Sequence, residues 1–388
     1  MRRTYLDNGS TSFPKAPGLG EAMSDFITNV GCNVGRGGYE TAYNLGEVVF
    51  ETRSLLCQLF NFDDERNVVF TPTITYSLNF VVKGLLKAGD HVIMSAMEHN
   101  AVARPCIDME KQGVTVSIAK CDEEGNLDFE DFESLFRPET KLVVMTHASN
   151  VAGTVIDAER VGGICREKGV FFALDAAQSA GAVDIDFKAL NLSALCITGH
   201  KGLLGPQGIG AMLLSEELVK ELDPVICGGT GSASHLLTMP EFMPDKFEAG
   251  TLNLPGIVGL HHSLQYVIEK GPANILKHEL ALAEKFMEEV KKMPGVRIAG
   301  RQDCQGRVGT VSLDFTEFDN ADISFRLDSE YGIMTRCGLH CAPLAHQSLN
   351  TYPQGTVRFA FGNFNTEDDV NYAVSAIREI IGLTKQYI

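Results

Sequence analysis

Leu195-Cys196-Ile197-Thr198-Gly199-His200-Lys201-Gly202-Leu203-Leu204-Gly205-Pro206 carries the most informative change of character in the chain. Four residues suited to a buried strand run into a glycine-rich loop, and the loop holds a lysine. Lysine ordinarily sits in solvent on a helix or strand face. Here its neighbours are small, which lets a flat cofactor approach the backbone closely. A lysine becomes a Schiff-base nucleophile when its charge is desolvated or set beside other cations. Taken alone, the segment fits a solvated loop lysine equally well.

The strand in front of Lys201 belongs to a series. Residues 67–71, 91–95, 114–119, 141–146, 170–175, 195–198 and 208–214 are short apolar runs ending in turn or polar residues. Such runs suit strands buried on both faces. Helical segments such as 75–86 and 157–168 alternate with them. Strand–helix alternation predicts an α/β fold around a mostly parallel sheet, whose ligands bind outside the carboxyl ends of the strands. After about Pro255 the pattern changes. It predicts helices over 256–269 and 275–292, strands over 309–314, 332–336 and 356–361, and a last amphipathic helix from Glu367. The expected organisation is a large domain over 16–260 and a smaller α+β domain made of 1–15 and 261–388.

The polar residues just after each run are the ones to read for chemistry. Asp175 closes the run at 170–175. A carboxylate at the buried end of a strand is costly unless paired. Opposite a protonated pyridine nitrogen it is stabilised, and it keeps the ring an electron sink. A helix N-cap aspartate has the same sequence signature. Asp175 and Lys201 at consecutive strand ends say more together than either does alone. A third segment, Thr71-Pro72-Thr73-Ile74-Thr75-Tyr76-Ser77, places hydroxyl residues where a strand gives way to a helix. Backbone N–H groups there can cradle a phosphate, and Thr73 or Thr75 can equally cap the helix. Arg358 lies inside the apolar run Thr356-Val357-Arg358-Phe359 and needs a buried anionic partner, either a ligand carboxylate or a structural ion pair.

Together these features resemble the class V aminotransferase family of pyridoxal 5'-phosphate (PLP) enzymes, in particular its cysteine desulfurase branch (SufS/NifS-like). The resemblance covers nearly the whole chain, and its pieces occur in family order. They are Tyr5-Leu6-Asp7-Asn8, Glu98-His99, Ser149-Asn150-Val151-Ala152-Gly153-Thr154, Asp175-Ala176-Ala177-Gln178, Gly199-His200-Lys201, Phe247-Glu248-Ala249-Gly250-Thr251 and Arg336-Cys337-Gly338-Leu339-His340-Cys341. Each piece is weakly specific, whereas the ordered set is highly specific. The resemblance implies the type I PLP fold, with a mostly parallel seven-stranded sheet in the large domain, and a homodimer. It implies that Lys201 holds PLP as a Schiff base, that Asp175 partners the pyridine nitrogen and that Gln178 bonds the ring O3'. His99 would stack on the ring and handle protons, and Asn150 would contact substrate and cofactor. Thr75, Thr198 and His200 would hold the phosphate, and Thr251 would reach the phosphate of the other subunit. Arg358 would clamp the carboxylate of an amino-acid substrate in a bidentate fork.

Cys341 sits in a loop with Gly338, His340, Pro343 and His346. In the resembling family a cysteine at this place attacks the sulfur of substrate cysteine and becomes a persulfide, and alanine leaves. The thiolate is the nucleophile, so Arg336, or His340 if protonated, would favour it. The loop resembles the short-loop group that includes SufS-like enzymes. It departs in Leu339, where a histidine is common, and in the additional Cys337; Tyr76 likewise replaces a common glutamate. Cys337 and Cys341 with their flanking histidines also have the composition of a zinc site. No metal is expected, because PLP chemistry already accounts for Cys341. The implied activity is L-cysteine desulfurase, supplying persulfide sulfur to a protein acceptor. The alternatives are selenocysteine lyase, cysteine-sulfinate desulfinase, another C–S lyase, a class V aminotransferase, or a non-catalytic sulfur-relay scaffold on a degenerate PLP fold.

Composition agrees with an enzyme of small substrates. A length of 388 residues favours two domains, and 44% hydrophobic with 21% charged residues is ordinary for a globular protein. A formal charge of −17 disfavours phosphate backbones, so no nucleic-acid partner is expected. No apolar run is long enough to cross a bilayer, and the N-terminus lacks the apolar segment of a secretory signal. The ten cysteines are scattered without the spacing of a disulfide framework, as expected of reduced thiols in the cytoplasm.

Overall fold

The computed structural model describes residues 2–34 and 38–384. Residues 1 and 385–388, the outer limits of the predicted small domain, and 35–37 in the predicted large one lie outside the described residues. The chain opens with a two-residue strand, β1 (Thr4–Tyr5). It then builds one sheet from β2 (Val68–Thr71), β3 (His91–Ser95), β4 (Thr115–Ala119), β5 (Thr140–Thr146), β6 (Phe171–Asp175), β7 (Ala194–Thr198) and β8 (Gly210–Leu214). Their order is β2-β8-β7-β6-β5-β3-β4. β8 runs antiparallel to both neighbours, and the remaining pairings are parallel. The expected α/β fold on a mostly parallel seven-stranded sheet is therefore present, and each of the seven apolar runs supplies a strand.

Successive side chains of a strand point to opposite faces. Val143 and Met145, Phe172 and Leu174, and Leu195 and Ile197 join the core on one face. Leu142 and Val144, Ala173, and Ala194 and Cys196 join the core on the other. Burial on both faces is why these strands read as continuous apolar runs. β4 departs from that expectation. It is an edge strand, and of its residues Ala119 alone is buried, whereas β2 at the other edge is buried throughout.

Caps set the helix boundaries. Asp157 accepts the Arg160 N–H at the start of Ala158–Lys168. Asn253 accepts the Gly256 N–H with Pro255 in the first turn, so Leu254–Lys270 begins two residues ahead of the predicted boundary. Thr73 flanks Ile74–Leu85 in extended conformation, but its hydroxyl does not cap that helix. The N-capping alternative for this threonine is thereby corrected.

β9 (Val296–Ala299), β10 (Thr310–Phe315), β11 (Ile333–Met334), β12 (Arg336–Gly338) and β13 (Thr356–Ala360) complete the strands. β12-β13-β10-β9 form an antiparallel sheet, and β1 pairs in parallel with β11. The strand predicted over 332–336 is divided at Thr335 between two sheets. β9 escapes the sequence reading, since four residues, two of them half-buried, do not establish a period. Leu6 packs with Leu313, Phe359 and Ile377 in the core of this C-terminal part. The Thr4 N–H donates to the Gly332 carbonyl at 3.0 Å. The N-terminal segment is thus carried across to the C-terminal sheet. There it meets the edge at which β2, β3, β5, β6 and β7 all end, where parallel α/β sheets place their ligands.

Candidate active site

Lys201 lies three residues beyond β7. Part of the side chain remains accessible from a narrow pocket, yet the amine is surrounded by protein. Burial lowers it to about 8, with Asp175 opposing and Arg358 and Arg336 assisting. Glycines decide how close the lysine loop comes to the loop after β6. A Cβ on Gly202 would stand 2.5 Å from the Ala180 carbonyl oxygen, and one on Gly181 2.4 Å from that of Gly202. Gly181 and Gly202 therefore let the two loops meet backbone to backbone, rather than opening the space for a flat ligand that the sequence alone suggested. Asp175 ends β6 at 2% exposure and accepts the Ala177 N–H at 2.9 Å. Burial raises its carboxyl, while the Ala177 bond and the Lys201 charge pull it down. The cap-like contact and the buried anion are the same residue.

His99 caps the helix Asn100–Met109, its Nδ1 accepting the Ala101 N–H at 3.0 Å. An accepting Nδ1 leaves the ring proton on Nε2. Burial, followed by the charges of Lys201, Arg336, Arg358 and Arg104, lowers this histidine to about 4, so the ring is neutral at neutral pH. Glu98 beside it is fully buried and receives the Thr146 N–H on both oxygens at 3.0 Å. It ties the ends of β3 and β5 together, a structural duty that the Glu98-His99 motif did not disclose.

Thr198 and His200 flank the start of the lysine loop. The Thr198 Oγ1 and the His200 Nδ1 are buried and have no hydrogen-bond partner among the described residues. An unpaired buried polar group costs about 1–3 kcal/mol. Gln178 donates its amide to the Gly9 carbonyl at 2.9 Å. Thr75 stands exposed in the first turn of Ile74–Leu85, beside the exposed Tyr76. Thr251 lines a cavity of about 170 Å³ with Thr71, Tyr76 and Phe247. Neither Thr75 nor Thr251 lines the pocket that Lys201 reaches.

Arg358, on β13, is 1% exposed. Its Nη2 donates to Asp7 Oδ1 at 2.7 Å and Ser10 Oγ at 2.8 Å, and its Nη1 to the Asn150 carbonyl at 3.2 Å. The anion that a buried arginine demands is thus Asp7, from the N-terminal segment, and the structural ion pair is real. The Nε of Arg358 is buried without a partner among the described residues. The Asn150 amide donates to the His340 carbonyl at 2.7 Å, and the Asn100 N–H donates to the Cys341 carbonyl at 2.7 Å. Two consecutive carbonyls of the cysteine loop are therefore tethered to the sheet edge. They need to be, because His340 and Cys341 have φ of 48° and 60°, a left-handed conformation that disfavours residues other than glycine by about 1–2 kcal/mol each. Cys341 is exposed, and Arg336 Nη2 lies 3.5 Å from its Sγ. His340 meets Thr356 through Nε2, and burial lowers it to about 2, so it is neutral and Arg336 is the cation at the sulfur. Cys337 turns the other way, packs against the C-terminal core and has its thiol raised by burial.

The sequence profile described as Aminotransferase class-V matches residues 4–372. The chain belongs to this family. A probable cysteine desulfurase of Methanothermobacter thermautotrophicus is 32% identical over 386 residues, covering 98% of this chain and 95% of the relative. The cysteine desulfurase IscS of Vibrio vulnificus is 30% identical, covering 96% and 91%. The apo structure of a cysteine desulfurase from Thermococcus onnurineus NA1 superposes with a TM-score of 0.91 at 30% identity, over 98% of this chain and 95% of that one. Family membership implies PLP, and the residues fit it. A depressed amine at Lys201 suits Schiff-base attachment. Asp175 is a buried carboxyl suited to a cationic ring nitrogen. Thr198 and His200 hold unpartnered polar atoms on either side of Gly199, suited to an anionic group.

Proposed function

We propose that the chain is a PLP-dependent cysteine desulfurase that moves the sulfur of L-cysteine onto Cys341 and releases L-alanine. The observation that carries this reading is the convergence of the Lys201 amine, the buried Asp175 and the exposed Cys341 thiol on one edge of the sheet. Bound PLP supplies an electron sink for bond-making and bond-breaking at the substrate's Cα and Cβ. Lys201 would hold it as a Schiff base and move protons at the substrate carbons. Asp175 would retain the ring-nitrogen proton, Gln178 would bond O3', and Thr75, Thr198 and His200 would hold the phosphate. Neutral His99 would lie against the ring, its Nε2–H available as a donor. Arg358 and Asn150 would orient the substrate carboxylate, and the unpartnered Nε of Arg358 leaves a donor for it.

At the sulfur, Cys341 attacks substrate Sγ. The new S–S bond forms as the substrate's Cβ–S bond breaks, and Cβ takes a proton. Substrate thiol and enzyme thiol thereby become alanine and a Cys341 persulfide with no outside oxidant. Arg336 provides the counter-charge beside the attacking sulfur. A protein acceptor would then collect the terminal sulfur.

The same reading includes a homodimer, with Thr251 serving the partner's phosphate. Its support is the exposed Ile27, Tyr43 and Phe50, 57–65% accessible, which a second copy would cover. The division into 16–260 and 1–15 plus 261–388 is supported by the pairing of β1 with β11. Among the described residues no helix is long and apolar enough to cross a membrane. The free cysteines agree with the cytoplasmic location proposed here. Incubation of the PLP-loaded protein with L-cysteine tests the function. Alanine release with one added sulfur on Cys341 is the expected result; pyruvate and ammonia in place of alanine would make it a lyase.

A further inference from the structure

Glu279 is a carboxyl for which the proposed chemistry has no use. It lies in the helix Pro272–Val290 and makes no hydrogen bond or ion pair with any described residue. It lines a narrow pocket of about 40 Å³ with Lys201, Gln178, Asn8, Ser12 and Asn363. Neither Asp175 nor His99 lines this pocket. Lys201 and Glu279 therefore share one space, which Gln178 also lines and which does not include Asp175. A water needs roughly 10–15 Å³ of such space, so the pocket can hold water. The amides of Asn8, Gln178 and Asn363 and the hydroxyl of Ser12 supply the polar partners those waters require.

The charged groups on the surrounding elements are engaged elsewhere. On the N-terminal segment, Asp7 pairs with Arg358 at 2.7 Å, and the Lys15 amine donates to the His200 carbonyl at 2.8 Å. Beside β10, Arg307 bonds the carbonyls of Ala152, Arg301 and Thr310. On the helix itself, His278 meets the Asn365 carbonyl at 2.9 Å. Glu279 is half-buried; among the described residues no cation holds it ionised, and its protein surroundings raise it to about 8. Lys201 is lowered to about 8. Proton exchange between groups so matched is close to balanced.

We propose that Glu279 is an acid–base partner of Lys201, passing protons between the lysine amine and solvent through water in the shared pocket. Each transfer moves one proton and no electrons. A proton leaving the Lys201 ammonium ends on the Glu279 carboxylate, and the reverse transfer restores both. The inference rests on the desulfurase reading, in which Lys201 moves protons at the substrate carbons.

Glu279→Gln keeps the size and polarity of the side chain but cannot carry the proton. The PLP-loaded variant should keep the cofactor absorbance and the KM for cysteine. Its kcat should fall roughly tenfold or more, lose the ionisation near pH 8 from its pH profile, and recover in part with small buffer acids such as imidazole. Glu279→Asp, which keeps the acid, should retain more activity than the Gln variant. Infrared spectra of the wild type should show a protonated carboxyl near neutral pH that disappears in alkali and is absent from Glu279→Gln. An unchanged kcat and pH profile in the Gln variant, or Gln and Asp variants equally impaired without buffer rescue, would overturn the proposal. Wild-type protein that releases no alanine from cysteine would instead count against the desulfurase reading itself.

Discussion

A lysine amine lowered to about 8 is reactive over a different range of pH from an ordinary one near 10.4. Its neutral form attacks an aldehyde, and deprotonation rises as pH passes through the folded-state value. Apo-protein mixed with PLP should therefore gain Schiff-base absorbance faster as pH is raised from 7 to about 8.5, and then level off. A capture rate still climbing steeply at pH 10 would mean an unperturbed amine. Lys201→Ala should abolish the band, and borohydride reduction of the wild type should label Lys201 alone. Arg358 was legible as a residue in need of an anion, but the sequence could not choose between a substrate and a protein partner. Asp7, 351 positions away, answers it in the protein, and the buried Nε has no partner among the described residues. Arg358→Lys keeps the charge and loses the fork. It should raise KM for cysteine about 10- to 100-fold, as loss of a charge-assisted bond worth about 1.5–3 kcal/mol implies, with PLP still bound. Unchanged kinetics would remove Arg358 from the substrate site.

The loop from Gly338 to Ala342 is an element whose sequence says little about its shape. Nothing in Leu339-His340-Cys341 announces two successive left-handed residues, because their conformation is imposed from outside by Asn150 and Asn100. The strands were readable for the opposite reason. Burial on both faces writes itself into composition; β4 carries such a run although most of it is not buried, and β9, four residues with two half-buried, carries too short a pattern to read. Lys201 and Asp175 could be found because each is a costly residue type for its place, whereas Cys341, exposed in its loop, is picked out by the family resemblance. Asp7 and Glu98 could be seen only as motif members, since their partners are distant in sequence or lie in the backbone. Asn150→Ala would leave the buried His340 carbonyl unpaired. It should cost about 1–3 kcal/mol in denaturant unfolding and slow persulfide formation more than PLP capture. Equal stability and equal single-turnover rates would show that the tether does not hold Cys341.

At the scale of the whole molecule, the fold carries one end of the chain across to the other. β1 and Asp7 reach the C-terminal strands, and the cysteine loop returns to the ends of the large sheet. A site assembled from such distant segments should be lost in one cooperative step with the fold. The exposed apolar side chains on the N-terminal segments, and Thr251 outside the Lys201 pocket, are the support for the proposed homodimer. Sedimentation should find a dimer, and a fully active monomer would reject the role given to Thr251. The central claim is that Cys341 receives the substrate's sulfur. It is tested most directly by alanine release from cysteine, selenocysteine and cysteine sulfinate in wild type and Cys341→Ala, with mass spectrometry of the cysteine loop. The account predicts one added sulfur on Cys341 in the wild type. It predicts a variant that keeps the cofactor spectrum, loses most alanine from cysteine and retains more from the other two, whose leaving groups depend less on attack by a thiolate. Full alanine release from cysteine in Cys341→Ala would contradict it.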